Sequence, residues 1–398
     1  MRCIVLTAFA VMLLRAPAFA QQLQWNAILA QARGQTVNWN AWAGDAETNA
    51  FIAWVGTEVE KRHGVRINHV KLKDTAEAVT RVVAEKAAGR IAGGSVDLIW
   101  INGPNFLALK AQGLLYGPFT QALPSFRHVD TATTRSNVID FTIPVDGLES
   151  PWRRAQVVFV YDGKRVRETP NSMLELRAWA KQNPGRVTHP SVRNFLGVTF
   201  LKQALLELAP DRDVLQMPAT DDNFVAVTAP MWAWYDTLRP HMWRQGRQLP
   251  ENGSAQRQLL NDGEIDMMIS FNPAEAAVSI RSGTLPPSVR TFVFAKGTIG
   301  NTSFVGIPYN AAHKEGAMVV ANFLLDPATQ AKAQDHRQMG NFTVLDLARL
   351  SAAERRHFDE LPRHPALPTN AELGRQLPEP HPSWMTRITA EWERRYTK

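Results

Sequence analysis

Cysteine is almost absent from this chain of 398 residues, in which Cys3 is the single example. Cys3 precedes the apolar core of a predicted export signal, so the mature protein is expected to contain no cysteine. Disulfides, zinc sites built on thiolates and a cysteine nucleophile are therefore excluded. Any enzyme whose mechanism depends on a cysteine is excluded with them.

The first twenty residues predict that export signal. Arg2 supplies a charged start, residues 4–14 form an apolar run, and Ala18-Phe19-Ala20 is a small-x-small cleavage site. The apolar run is shorter than the ~18 residues that span a bilayer, which disfavours a membrane anchor. No later apolar run reaches that length. We expect cleavage after Ala20 and a periplasmic mature protein.

The chain also has no concentrated block of one charge. Its 44 Lys and Arg residues exceed its 37 Asp and Glu residues by seven, and loss of Arg2 and Arg15 with the signal leaves a net charge of about +5. The basic residues are spread along the sequence without a ladder of interleaved aromatics. A nucleic-acid partner is therefore not expected.

Familiar catalytic motifs are missing as well. The sequence contains no Walker A loop and no H-E-x-x-H helix, which excludes a transporter ATPase and a zincin. A Ser-His-Asp hydrolase stays open from composition alone, although no G-x-S-x-G elbow supports it. We predict neither a cofactor nor a metal site.

Tryptophan, in contrast, is abundant, with 12 residues against 5 tyrosines. Its broad face suits both protein cores and flat ligands. Two tryptophans and an acid lie in VNWNAWAGD (Val37 to Asp45), where the first predicted strand ends. The two indoles either fill a core or form one wall of a pocket, and we predict that Asp45 caps the following helix.

Strand and helix patterns alternate along the chain, which indicates βαβ units, a mostly parallel sheet and the α/β class. A loop-rich stretch over residues 115–151 separates two such series, so we predict two α/β lobes. In the first series the predicted strands cover residues 36–39, 65–72 and 96–101, and the helices 49–63, 75–90 and 106–112. In the second they cover strands 156–161 and 265–271 and helix 195–208.

Several segments, in this order, resemble the extracellular solute-binding proteins of ABC importers. They are N-W-x-x-aromatic (Asn38 to Trp42), VDLIWINGPNFLALKAQGLL (Val96 to Leu115), GEIDMMISF (Gly263 to Phe271) and VGIPYNAAHKEGAMVVANFLLDPATQAK (Val305 to Lys332). The tail motifs MGNF (Met339 to Phe342) and W-x7-EW-x-R-R (Trp384 to Arg395) are similar to the thiamine-binding branch, and the polyamine-binding branch is also close. The resemblance covers almost the whole mature chain.

The resemblance implies a two-lobe periplasmic-binding-protein fold (type II) with a hinge between the lobes. We expect lobe 1 to comprise residues 21–155 plus 303–343, and lobe 2 residues 156–302 plus 344–398, after the signal over residues 1–20. A small solute would be captured in the cleft by hinge closure and delivered to an ABC permease with its ATPase. A monomer is expected. A sensor subunit for a membrane receptor and a cysteine-independent periplasmic enzyme are the alternatives.

Loops after strand ends face the cleft in such folds, and they supply part of the candidate site. The last aromatic of the family's N-W-x-x-aromatic pattern commonly lines the cleft, so we predict that Trp42 faces the cleft and that Trp39 is a core residue. The resemblance also implies aromatic contacts at Phe271 and Phe342, and Ser303 begins the return crossing between the lobes.

Three candidates carry an alternative interpretation: Asn105 as a helix cap, Arg154 as a solvated hinge residue, and Trp232 as core. The predicted ligand-binding residues are Trp42, Asn102, Asn105, Arg154, Ser191, Asn194, Trp232, Phe271, Asn272, Ser303 and Phe342.

Departures from the family pattern bear on the solute. Where polyamine binders place acids, this chain has residues 189–194 and Ser303, so a diammonium ligand is disfavoured. The thiamine-binding branch has an acid beside its ligand where this chain has Asn102, and a tryptophan near the position of Gly253. These two departures leave thiamine without support as the solute. Ferric binders use adjacent tyrosines, and this chain has no such pair. No His-rich loop suggests zinc. We therefore predict a small polar or aromatic-bearing solute.

Overall fold

A computed structural model describes residues 23–397 of the chain. The predicted signal over residues 1–20 and its cleavage site lie outside the described residues. Short 3-10 turns connect several of the elements that follow. Within residues 23–397, no helix combines the length and apolarity that a membrane span requires.

The elements of the first part alternate helix and strand and end in a long strand that leaves the first lobe. They are α1 (residues 23–32), β1 (Thr36–Trp42), α2 (Ala46–His63), β2 (Arg66–Leu72), α3 (Ala76–Ala87), β3 (Leu98–Ile101), α4 (Pro104–Ala111), β4 (Ile139–Asp140), β5 (Ile143–Pro144) and β6 (Glu149–Gln156).

The second part is richer in helix. It comprises β7 (Val158–Asp162), α5 (Met173–Gln182), α6 (Phe195–Leu208), α7 (Asp221–Leu238), α8 (Gly253–Asn261), β8 (Met267–Ser270), α9 (Glu275–Arg281), β9 (Val289–Phe292), β10 (Thr298–Gly306), α10 (Lys314–Leu324), α11 (Pro327–Gln334), α12 (Ala352–Asp359), α13 (Asn370–Leu373), β11 (Gln376–Leu377) and α14 (Pro382–Tyr396).

Helix α2 begins and ends where its sequence signals predict. The carboxylate of Asp45 accepts hydrogen bonds from the Thr48 backbone N–H at 2.7 Å and from its hydroxyl at 2.8 Å, which satisfies an otherwise free helix donor. Gly64 ends the helix with a φ of 69°, a left-handed conformation that glycine adopts without strain. Trp39, on the preceding strand, is fully buried. The predictions for Trp39 and Asp45 are therefore confirmed.

Two sheets organise the two lobes. The first has the order β11-β10-β3-β1-β2, with β6 also paired to β10; β1 is parallel to β2 and β3, and β10 is antiparallel to β3 and β6. The second has the order β8-β7-β9 and is antiparallel throughout. The predicted parallel sheet is therefore wrong for the second lobe. Several helices separate β7 from β8, so alternation alone does not fix the direction in which β8 returns.

The lobes are connected by three segments. Strand β6 leads directly into β7, β10 returns, and the chain crosses again after α12. Val344, Leu350 and Phe358 pack in the first hydrophobic core, whereas Ala366 packs in the second lobe. Residues 344–361 thus lie with lobe 1, although the predicted boundary assigns them to lobe 2. The cause is the apolar face of α12, which packs against α11.

Helix α6 approaches the loop before it so closely that only glycine fits at residue 197. A Cβ added to Gly197 would lie 2.1 Å from the carbonyl oxygen of Ser191 and 2.3 Å from that of Pro190. Gly56, in the middle of α2, has room, because its Cβ would lie 3.6 Å from the Cβ of Ile67. The same substitution is therefore expected to have opposite effects at the two sites.

We predict that Gly197→Ala lowers the free energy of unfolding by about 1–3 kcal/mol, since backbone must move to admit the methyl group. Gly56→Ala should raise it by up to ~1 kcal/mol, because alanine favours the helix. Urea denaturation of both variants measures the difference. Equal stability of the two variants would contradict the close packing at Gly197.

Candidate ligand-binding site

The strand ends of the two lobes face each other across a cleft. On the first lobe, the loop after β1 (Trp42 to Asp45) is at this edge, and on the second the start of α8 is opposite it. The hydroxyl of Ser254 lies 3.5 Å from the carbonyl oxygen of Gly44, and Arg281 of α9 lies 3.7 Å from the carboxylate of Glu47. The two lobes therefore meet at this rim through polar contacts.

One wall of the cleft combines two indoles with a guanidinium. Trp42 is partly buried and packs edge-to-face on Trp100 of β3, with ring centroids 6.1 Å apart and planes at 88°. The guanidinium carbon of Arg153 lies 4.3 Å from the centroid of Trp100. The Nε of Arg153 donates to the hydroxyl of Ser303, its partner on β10, at 3.3 Å. Trp100 is 7% exposed and packs in the first core, so Trp42 supplies most of the accessible flat surface beside this cation.

Gly44 fixes the position of the Trp42 indole. A Cβ added at Gly44 would lie 1.9 Å from an atom of that ring, so the indole occupies the space that a side chain would need. Gly44 has a negative φ, which any residue can adopt. The role of Gly44 is therefore steric: its lack of a side chain lets the Trp42 indole pack against the backbone of this loop.

A row of three phenylalanines joins the lobes at the other side. Phe141 of lobe 1 lies 6.5 Å from Phe195 at the start of α6, and Phe195 packs edge-to-face on Phe271 at 5.4 Å. Phe141 and Thr142 form the tip of the β4–β5 hairpin, and both have positive φ, 45° and 75°. A bulky and a β-branched residue in this conformation store strain, which proteins concentrate at functional sites.

A buried ion pair lies beneath this aromatic row. The Nζ of Lys202 is 2.7 Å from the carboxylate of Glu379, both side chains are almost fully buried, and Asn301 donates to the same carboxylate at 3.0 Å. Nζ also lies 4.7 Å from the ring centroids of Phe141 and Phe195. Burial lowers the pKa of Lys202 and raises the pKa of Glu379, while their contact opposes both shifts.

Two further buried acids lie near the hairpin. The backbone N–H of Gly103 donates to Asp140 at 2.5 Å, and burial raises the pKa of Asp140 well above its ordinary value. Burial also raises the pKa of Glu149, and neither of its carboxyl oxygens has a hydrogen-bond partner among the described residues. Burial therefore opposes ionisation of both carboxyls.

Six of the predicted site residues belong to segments that line this cleft. Two of them also hold the second-lobe wall in place: Asn194 caps α6 by accepting from the Leu196 N–H at 3.0 Å, and the Ser191 N–H donates to Pro250 at 2.8 Å. No finding tests ligand contact for any of them. The six are Trp42, Asn102, Ser191, Asn194, Phe271 and Ser303.

The other five predicted residues lie elsewhere or have structural partners. Asn105 lies within the first turn of α4, so the helix cap predicted there is wrong; Gly103 holds the cap position with a φ of 58°. Trp232 is 3% exposed in the second core, where its Nε1–H donates to the hydroxyl of Thr228 at 3.0 Å. A ligand in the cleft cannot reach Trp232, which corrects that prediction.

Arg154, Asn272 and Phe342 instead tie the hinge region together. The Nε of Arg154 donates to Thr343 at 2.9 Å, and its backbone N–H donates to Phe342 at 2.8 Å. The side-chain amide of Asn272 donates to Met339 at 3.0 Å, across the two lobes. These groups bond to protein, and ligand contact at Arg154, Asn272 and Phe342 stays a prediction. The neighbour of Arg154, Arg153, is the arginine that packs on the indoles.

The list of predicted ligand-binding residues does not include Arg153, Trp100, Phe141, Phe195 or Lys202, which the structure places beside the predicted ones. The segment ESPWRRAQ that forms β6 was predicted as loop up to Pro151, since a proline and two arginines break the strand pattern. Without a strand there, nothing assigns Arg153 and Arg154 to opposite faces. Phe141 carries no sequence signal, because its position depends on a hairpin of two-residue strands.

Two α/β lobes joined by paired strands and closed on a cleft define the class of periplasmic solute-binding proteins. The chain belongs to the family of bacterial extracellular solute-binding proteins, whose family model matches residues 54–366. It is 40% identical over 372 residues to Protein YnjB of Escherichia coli (strain K12), covering 94% of each chain.

Solved structures of ABC-transporter substrate-binding proteins share the fold. The periplasmic binding protein AfuA from Actinobacillus pleuropneumoniae, with fructose-6-phosphate bound, superimposes with a TM-score of 0.62 at 13% identity over 90% of this chain and 98% of AfuA. The spermidine/putrescine-binding protein PotD from Streptococcus pneumoniae gives 0.62 at 12% identity, over 91% and 98%. At these identities the likeness shows the fold alone. Within residues 23–397, no group of three or more His, Cys, Asp or Glu side chains is arranged to hold a metal ion.

The Lys202–Glu379 pair yields a stability prediction. Lys202→Met leaves a buried carboxylate without its cation and should lower the free energy of unfolding by about 3–5 kcal/mol. The double variant Lys202→Met, Glu379→Gln should recover much of that loss, because no charge is then left unpaired. Urea denaturation of the single and double variants tests this coupling.

The exposed pair Arg62–Glu58, also 2.7 Å apart, provides the matched control. Arg62→Met should cost no more than about 1 kcal/mol, since solvent screens an exposed pair. A loss in Lys202→Met as small as that in Arg62→Met would show that the buried pair does not support the cleft.

Proposed function

We propose that the protein is the substrate-binding component of an ABC importer that captures a small polar or aromatic-bearing solute between its lobes. The observation that carries this proposal is the set of aromatic side chains near the contact between the lobes: Trp42 packs on Trp100, and Phe195 of lobe 2 contacts both Phe141 of lobe 1 and Phe271. Clefts of this kind bind ligands through flat apolar contacts and a few polar groups.

Opening and closing follow from how the lobes are joined. The contacts at the rim, Ser254 with Gly44 and Arg281 with Glu47, are partly exposed and polar, so little free energy is needed to separate them. The paired strands β6 and β10 connect the lobes, and their register shifts once, between Ser303 and Phe304. We infer that a bound solute shifts the balance toward the closed form, which a membrane permease then recognises.

The remaining features of the proposal concern the cellular setting. We propose that the mature protein begins after Ala20, acts in the periplasm as a monomer, and serves a permease driven by an ATPase. It carries out no chemistry on its solute. Membership of an extracellular solute-binding family supports this setting.

The residues of the cleft argue against a polyamine solute, although PotD is named for spermidine and putrescine. Two ammonium groups would need free carboxylates. Asp45 already accepts from Thr48, and Glu379 is paired with Lys202. A cation, Arg153, lies where a diammonium ligand would be repelled.

We predict that Trp42→Ala weakens binding of the physiological solute by ~1–3 kcal/mol, because a stacking surface is lost. The solute is first identified by native mass spectrometry of the purified protein, and titration calorimetry then gives affinities. Gly44→Ala should weaken binding similarly, since its methyl group would displace the indole. Trp243→Ala is the control, because Trp243 packs in the second lobe and its Nε1–H donates to Glu264 at 2.7 Å. Unchanged affinity in Trp42→Ala would remove Trp42 from the site.

We also predict that the solute leaves the protein chemically unchanged and that deletion of the gene abolishes its uptake by cells. Chromatography of the released solute and transport of an isotope-labelled sample measure these two properties. Steady conversion of the solute by the pure protein would favour an enzyme. Normal uptake in the deletion strain, together with tight binding, would favour a sensor.

A further inference from the structure

Arg153 is a largely enclosed cation without a counter-ion. No carboxylate oxygen of the described residues lies within 4 Å of its guanidinium, and its recorded hydrogen bond is the 3.3 Å contact to Ser303. The acid that influences it is Asp45, whose two oxygens already accept from Thr48. Arginine has five N–H donors in a planar fork, so most of this donor set is uncommitted.

Neighbouring arginines differ from Arg153 in this respect. Arg154, the next residue, donates to a backbone carbonyl and is attracted by Asp130. Arg257 of α8 forms an ion pair with Glu275 at 3.3 Å. The lack of a partner is therefore particular to Arg153 and not a general property of the hinge.

An unpaired cation in such a place is unfavourable for the protein alone. Burial lowers the pKa of Arg153 to about 10, which still leaves it charged at neutral pH. The face of Trp100 at 4.3 Å offsets part of the lost hydration, but an aromatic face gives no acceptor for the in-plane N–H groups. Features that oppose stability and persist in a ligand cleft are typical of binding residues.

Glu149 has no hydrogen-bond partner among the described residues, but no carboxylate oxygen of these residues lies within 4 Å of the Arg153 guanidinium. The other acids around the cleft each have a protein donor or cation within hydrogen-bond or ion-pair distance. They are Asp45 with Thr48, Glu47 with Arg281, Asp140 with Gly103, Glu275 with Ser270, Ser279 and Arg257, and Glu379 with Lys202.

We propose that Arg153 binds an oxyanion of the solute, a carboxylate or a phosphate ester, with the Ser303 hydroxyl beside it. The indoles of Trp42 and Trp100 then pack against the carbon skeleton that carries this group. A planar guanidinium matches both oxyanions through two parallel N–H···O bonds. The inference rests on the proposed solute-binding function and assigns the solute a negative charge.

The test uses the full mature protein, freed of retained solute by unfolding and refolding, in thermal-shift titrations with four matched probes. Phenyl phosphate and benzoate are anions, benzamide is their neutral counterpart, and benzylamine is a cation. At least one anion should raise the melting temperature, and the better of the two distinguishes a phosphate from a carboxylate. Benzamide and benzylamine should give no comparable shift.

Arg153→Gln should weaken binding of the effective anion at least ~10-fold, since the charge-assisted hydrogen bonds are lost. Its melting temperature without probe should equal or exceed that of the natural protein, because an uncompensated charge has been removed. Arg153→Lys keeps the charge but loses the planar fork of donors, so its affinity for the anion should lie between those of the natural protein and Arg153→Gln. If Arg153 had a structural role instead, both variants would have a lower melting temperature than the natural protein.

Two controls separate this effect from net charge and from hinge damage. Arg62→Gln, on the outer surface of α2, should leave the anion shift unchanged. Arg154→Gln should lower the melting temperature and retain the shift, because its guanidinium bonds to Thr343.

An anion shift that survives in Arg153→Gln would overturn the proposal, as would equal shifts from benzamide or benzylamine, or no shift from either anion. A neutral or cationic probe whose shift disappears in Trp42→Ala would preserve the solute-binding function while rejecting the anion. If none of the four probes shifted the melting temperature, and a deletion strain took up every tested solute normally, both the anion proposal and the solute-binding function would be rejected.

Discussion

The antiparallel pairing of β6 with β10 is the constraint on which the rest of this structure depends. Its register sets Arg153 opposite Ser303 and Arg154 opposite Thr302, so neighbouring arginines point to different surroundings. The same ladder carries the chain between the lobes and continues into β3 of the first sheet. Hinge and site are therefore built from one set of backbone hydrogen bonds, and closure of the lobes acts directly on the residues that would hold a solute.

Charge is distributed around this hinge in an unequal way. Lys202 and Glu379 are buried but satisfy each other, and burial opposes ionisation of Asp140 and Glu149 by raising their pKa values. Among the described residues, Arg153 has no ion-pair partner, and its side-chain hydrogen bond is the single one to Ser303, whereas Arg154 donates to the Thr343 carbonyl. The cleft consequently presents a positive centre beside aromatic side chains, which is why an oxyanion with a flat or apolar body suits it.

Local signals predicted much of the first lobe. Asp45 and Gly64 bound α2 because capping depends on residues within one turn, and Trp39 is core because strand alternation places it there. The α/β class followed from the same periodicities, and the family resemblance supplied the two-lobe arrangement. The direction of β8 and the crossing after α12 did not follow, since both depend on pairing and packing between residues far apart in sequence.

The site was less predictable than the fold for a physical reason. A rule based on strand ends found the segments around Trp42, Asn102, Ser303 and Phe271, but it could not say which side chain of each segment faces the cleft. Pairing of β6 with β10 decides between Arg153 and Arg154, and the strained hairpin decides the place of Phe141. Neither can be derived from neighbouring residues alone.

The central claim is that the two lobes close on a solute, and inter-lobe distance tests it most directly. Single-molecule energy transfer between dyes on cysteines introduced at Lys73 of lobe 1 and Glu251 of lobe 2 reports that distance in solution. With the solute identified by native mass spectrometry, the account predicts a broad distribution without solute and a short, narrow one at saturation. An unchanged distribution at a solute concentration that saturates binding would contradict it.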